Sequence, residues 1–119
     1  MKRGMIVTVG VGRGVEHAIA LSIRNQRPDY VIFIATNESR KTVDAVEKEL
    51  KEMNTSIPAH HVEEVSDENN VYEVYSVVKG AVKWLVEQGS HLSDIVVDYS
   101  SGTKPMSAGA LFSAIMTPC

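Results

Sequence analysis

Two short segments carry residue types that could grip a negatively charged oxygen. The first is Ser100-Ser101-Gly102-Thr103-Lys104, followed by Pro105, Met106 and Ser107. It packs hydroxyls, a glycine, an ammonium and the start of a helical pattern into a few residues. Backbone N–H groups at a helix start, hydroxyl donors and one cation together make an anion cradle. Helix capping by Thr103 accounts for one hydroxyl and leaves Ser100, Ser101 and Lys104 unexplained. The second segment is Gly10-Val11-Gly12-Arg13-Gly14. Alternating glycines permit positive φ and a close approach of backbone to ligand. The helix that follows offers free N–H groups at its positive end. Arg13 can add a forked, charge-assisted contact to phosphate. The plainer alternative is a tight strand-to-helix turn with a solvated arginine.

Neither segment matches a common nucleotide motif. The dinucleotide fingerprint asks for glycine or alanine where the chain has Val15. It also asks for an acidic residue about twenty residues further on at a strand end. That region reads Ala35-Thr36-Asn37-Glu38, with Glu38 a late candidate. The Walker pattern fails because Lys104 follows Thr103 rather than glycine.

The surrounding elements alternate. Met5 to Val9 is a β-branched run ending at glycine, and Val15 to Asn25 has mostly helical spacing. Tyr30 to Ala35 is a continuous apolar strand. From Ser39 a helix presents Val43, Val46, Leu50 and Met53 on one face. Ala59 to Val65 reads as a weaker strand. Asn70 with Glu73 reads as a capping box, opening a helix with Val71, Val74, Tyr75, Val78, Val82 and Leu85 on one side and Gly89 as its stop. Asp94 to Tyr99 is a short buried strand, and Pro105 suits the first turn of a last helix through Phe112. The order β-α-β-α-β-α-β-α, with near-continuous apolar strands, predicts an α/β, Rossmann-like three-layer sandwich around a mainly parallel sheet. Ligands of such sheets bind beyond the carboxyl ends of the strands. That rule selects the loops Gly10 to Gly14, Thr36 to Ser39, Ser66 to Asn70 and Ser100 to Lys104.

The bulk composition bounds the rest. The chain has 119 residues, 44% of them hydrophobic and 23% charged, and a formal net charge of −3. It reads as a single domain over residues 1–119, and as a candidate fragment of a longer effector protein, because an apolar helical pattern breaks off at its end. A net negative charge argues against binding long nucleic acid nonspecifically. It leaves room for a small anion held by a few local donors. The one cysteine, Cys119, rules out a disulfide within the chain and fits a reducing compartment. No segment approaches a membrane span and no signal peptide is evident, so a cytoplasmic location without membrane contact is expected. No cofactor and no metal are expected. His60 and His61 are adjacent without a further ligand at metal spacing, and His17 and His91 stand apart. Trp84 suits either the core or a partner contact. Tyr99 could stack on a base or be buried.

The segment Asp98-Tyr99-Ser100-Ser101-Gly102-Thr103-Lys104-Pro105-Met106 resembles the signature of CARF domains, the CRISPR-associated Rossmann fold. Ile6-Val7-Thr8-Val9-Gly10 is similar to that family's first strand and loop, and Thr36-Asn37-Glu38-Ser39 to its polar loop after the second. The resemblance covers essentially the whole chain. It implies a homodimer that binds a cyclic oligoadenylate, tetra- or hexa-adenylate, across its two-fold axis and regulates an attached effector in type III CRISPR antiviral defence. The ligand-binding residues it implies are Gly10, Gly12, Arg13, Gly14, Thr36, Asn37, Glu38, Ser39, Ser100, Ser101, Gly102, Thr103, Lys104 and Met106. Some members cleave the ring without a metal, by attack of a ribose 2′-hydroxyl on the adjacent phosphate. In a ring nuclease of that kind Lys104 and Arg13 would be catalytic. Members that cleave often carry a serine or threonine after the first strand, where this chain has glycines, Val11 and Arg13, so binding without cleavage is expected. An unrelated Rossmann-like enzyme that binds a mononucleotide is the alternative of another class.

Overall fold

A computed structural model describes residues 2–98. Four strands alternate with three helices. They are β1 (Lys2–Thr8), α1 (Val15–Gln26), β2 (Tyr30–Ala35), α2 (Arg40–Glu52), β3 (Ala59–Glu64), α3 (Val71–Glu87) and β4 (Ser90–Asp98). All pairings are parallel, in the order β3-β2-β1-β4. The chain is therefore an α/β, Rossmann-like sandwich. The helix expected after residue 105 lies outside the described residues.

The pleat divides the apolar residues between two faces. Met5, Val7, Val9, Val31, Phe33 and Ala35 point to the side covered by α1 and α2, where Ile19, Ile23, Val43, Val46 and Leu50 meet them. Ile6, Ile32 and Ile34 point to the other side, against Val74, Val78, Ala81, Val82 and Leu85 of α3. Burial on both faces explains why β2 and the Met5–Val7 part of β1 are continuous apolar runs rather than alternating ones. Each fully buried Ile, Leu or Phe contributes about 1.5–3 kcal/mol, and these two layers hold the strand ends in place.

The outer strands differ from the inner ones. Among the described residues β3 pairs only with β2, and its two ends are exposed. Val62 faces the α1/α2 layer, while His61 faces α3 and meets the Trp84 ring edge-on at 4.7 Å. Trp84 also meets Tyr30 edge-on at 5.7 Å, so it closes the rim of this layer. β4 begins at Ser90, four residues before the expected start at Asp94. Its pairing with β1 jumps from Lys2↔Ser90 to Gly4↔Ile95. The polar stretch between is an irregular insert, and only Ile95 to Asp98 runs in steady register. An apolar-run criterion finds the regular part and misses the first pair.

Candidate functional site

β1 lies inside the sheet with β2 and β3 to one side and β4 to the other. The connection thus reverses direction at β1, and beyond the ends of β1 and β4 is the switch point where open parallel sheets take ligands. Val7 pairs with Asp98, which puts the carboxyl ends of the two strands side by side. Thr8 is fully buried there, its hydroxyl 3.5 Å from the carbonyl oxygen of Asp98. Thr8 was not picked out from sequence. Its only signal there is one hydroxyl within the apolar run Met5 to Val9.

From Thr8 the chain passes through Val9 and buried Gly10 into an exposed turn over residues 11–14. Gly12 has φ 143° and Gly14 φ 81°, conformations that side-chain-bearing residues avoid. No Cβ contact crowds Gly14, so its glycine serves backbone geometry and open space rather than packing. The carbonyl of Gly14 accepts the Ala18 N–H at 3.1 Å and starts α1. The N–H groups of Val11, Gly12, Arg13 and Gly14 make no hydrogen bond to another described residue. The Val15 N–H at the start of α1 donates to the Gly12 carbonyl at 3.5 Å, so the unpaired run among the described residues is that of the exposed residues 11–14. Arg13 is exposed and adds a cation, and Glu16 in the first turn of α1 is the nearest opposing charge in sequence. An anion bound here would displace no hydrogen bond from the N–H groups of residues 11–14 to a described residue.

The loops after β2 and β3 are built differently. The Ser39 hydroxyl accepts the Thr36 N–H at 2.8 Å, and the Thr36 hydroxyl accepts the Ser39 N–H at 3.0 Å. The two hydroxyls also meet at 3.1 Å. This reciprocal pair has the logic of a capping box, and Ser39 is only 1% exposed. Asn37 and Glu38 are the residues of this loop that face solvent. After β3, Asn70 caps α3 by accepting the Glu73 N–H at 3.1 Å, as its spacing predicts. The Glu73 carboxylate does not return the bond to Asn70. It accepts from the Ser66 N–H at 2.9 Å, the Ser66 hydroxyl at 2.7 Å and the Asp67 N–H at 2.9 Å. Those bonds, the Ser66 hydroxyl foremost, hold its pKa below the ordinary glutamate value.

Between these two loops is an open cleft of about 380 Å³, lined by Thr36, Asn37, Glu38, Ser66, Asp67, Glu68 and Asn69. Glu38, Asp67 and Glu68 make it suited to hydrogen-bond donors such as amino and hydroxyl groups, and poorly suited to phosphate. The structure thus separates the predicted residues into a donor-rich part, Gly10 to Gly14, and an acceptor-rich part that includes Asn37 and Glu38. Ser100, Ser101, Gly102, Thr103, Lys104 and Met106 lie outside the described residues.

Three of the four histidines each face a single glutamate: His60 and Glu47 at 2.6 Å, His17 and Glu49 at 3.3 Å, His61 and Glu63 at 3.1 Å. Among the described residues no three His, Cys, Asp or Glu side chains gather closely enough to hold a metal ion. No described helix is long and apolar enough to cross a membrane. No family model and no curated protein matches the chain.

Proposed function

We propose that the protein senses a cyclic oligoadenylate, binding it at the carboxyl edge of the sheet across the axis of a homodimer and so regulating an attached effector in type III CRISPR defence. The observation that carries this reading is the open run of N–H donors from Val11 to Gly14 at the switch point. It suits the phosphates of a cyclic nucleotide. The neighbouring acidic cleft suits what a phosphate site does not, the adenine amino group and the ribose hydroxyls. The reading also assigns the phosphates to Thr103 and Lys104, which follow β4 in sequence. A ring on a two-fold axis meets each such loop twice, which is why a dimer belongs to the reading.

The test is incubation with cyclic tetra- and hexa-adenylate in the presence of chelator, with the nucleotide products resolved afterwards. Binding with the ring intact is expected. Linear products would make the protein a ring nuclease with Lys104 and Arg13 in the reaction. Absence of binding to both rings would overturn the reading and favour a mononucleotide-binding enzyme of the same fold.

A further inference from the structure

The opposite, amino edge of the sheet carries a second groove, of about 530 Å³, lined by Ile23, Arg24, Arg27, Pro28, Asn54, Thr55, Ser56 and Pro58. One wall is the end of α1 and the turn into β2; the other is the end of α2 and the turn into β3. The two walls are distant in sequence and meet only because the two turns are neighbours in the sheet. Ile23 and Pro28 are buried and Pro58 half-buried, which gives the groove an apolar floor. Around it stand two guanidinium groups, one amide and two hydroxyls, and among the described residues no carboxylate lines it. Neither Arg24 nor Arg27 has an ion-pair partner among the described residues.

Helix electrostatics accounts for part of this charge. Arg24 in the last turn of α1 and Lys51 in the last turn of α2 offset the negative ends of their helices. Arg27 is surplus to that role. It sits at the C-cap of α1 with φ 50°, a left-handed position at which glycine is the usual residue. Asn54, on the facing wall, has φ 54°. These are the two positive-φ residues other than glycine among the described residues, and both line this groove. At Arg27 a side chain is kept where the backbone would be relaxed without one.

We infer that this groove binds a compact organic anion, a phosphate or carboxylate carried on an apolar body. The anionic group takes forked hydrogen bonds from Arg24 and Arg27, with Asn54 and Ser56 opposite; the Thr55 hydroxyl already donates to the Met53 carbonyl at 3.4 Å. The apolar body lies on Ile23, Pro28 and Pro58. A volume of this size suits a small-molecule ligand. The site is separate from the carboxyl-edge site and does not depend on it.

Phenyl phosphate, benzoate, inorganic phosphate and benzyl alcohol serve as probes, titrated into the full chain and followed by 15N–1H correlation spectra. Phenyl phosphate should give saturable shifts at residues 24–27 and 54–56. Arg24→Gln combined with Arg27→Gly should weaken it by about tenfold, the low end for charge-assisted hydrogen bonds. Glycine relaxes the left-handed position, so this variant keeps its fold, and its undisturbed spectrum elsewhere checks that. Benzoate binding more tightly than phenyl phosphate would make the ligand a carboxylate; the reverse order would make it a phosphate. Benzyl alcohol binding as tightly as the anions, inorganic phosphate binding as tightly as phenyl phosphate, or an unchanged affinity in the double variant would each overturn the inference.

Discussion

The turn after β1 and the loops after β2 and β3 occupy the same edge of the sheet, yet they handle their polar groups in opposite ways. Residues 11–14 expose N–H donors and satisfy none of them within the described chain. Thr36 and Ser39 satisfy one another. Glu73 gathers three donors from Ser66 and Asp67. A loop whose groups are already paired gains little from a ligand, because each new bond replaces an old one. A loop with open donors gains the full exchange against water. Under the proposed function the glycine turn would be the grip, while the paired loops would be walls that hold their shape without a ligand. A wall residue should therefore alter stability, and a grip residue affinity.

The largest expected effect is at Lys104, to which the proposed function assigns a ligand phosphate. Lys104→Ala should weaken binding of the cyclic oligoadenylate by about 1.5–3 kcal/mol, the range for hydrogen bonds to charged groups, with an unchanged melting temperature. Calorimetric titration and thermal unfolding of the same sample separate the two quantities. Ser39→Ala should do the reverse. It leaves the Thr36 N–H without its acceptor in a nearly buried turn and should cost about 1–3 kcal/mol of stability, with ligand affinity preserved once the protein is folded. A loss of affinity exceeding the loss of stability would move Ser39 from wall to grip. Gly14→Ala places a side chain at φ 81° and should cost about 1–2 kcal/mol, seen both in denaturant unfolding and in weaker binding, because the donors beside it shift.

The smallest effect is pH-dependent. The folded state lowers the pKa of Glu73, so its contribution is present above the ordinary glutamate value and fades as pH falls through the lower folded value. Glu73→Gln should be less stable than the parent at neutral pH, and the gap should close well below about pH 4. Hydrogen exchange at Ser66 and Asp67 reports it directly. A gap that stays constant with pH would mean that the carboxylate bonds do not hold this loop.

Much of the framework was legible from residue spacing. Tyr30 to Ala35 is apolar throughout because β2 is covered on both faces, and Val43, Val46 and Leu50 are buried as their helical spacing requires. The glycines at 12 and 14 marked positive φ in advance. Partner choice was less accessible. Asn70-x-x-Glu73 announced a cap, but the carboxylate turns back to residues 66 and 67, whose position is set by β3 rather than by the helix. Ser39 looked like a ligand donor because nothing local shows that Thr36 folds over it. Thr8 gained meaning only when the register set it beside Asp98. The amino-edge groove joins residues 23–28 to 54–58, a juxtaposition that exists only once β2 and β3 pair.

The proposed function requires that negatively charged oxygen be held by the open turn after β1. A 15N–1H correlation titration with cyclic tetra-adenylate and cyclic hexa-adenylate tests it most directly. Saturable shifts at the amides of Val11, Gly12, Arg13 and Gly14 with at least one ring, larger than those at Ser66, Asp67 and Glu73, are the expected result. Shifts confined to residues 66–73 or to the amino edge, with the glycine turn unmoved, would contradict it.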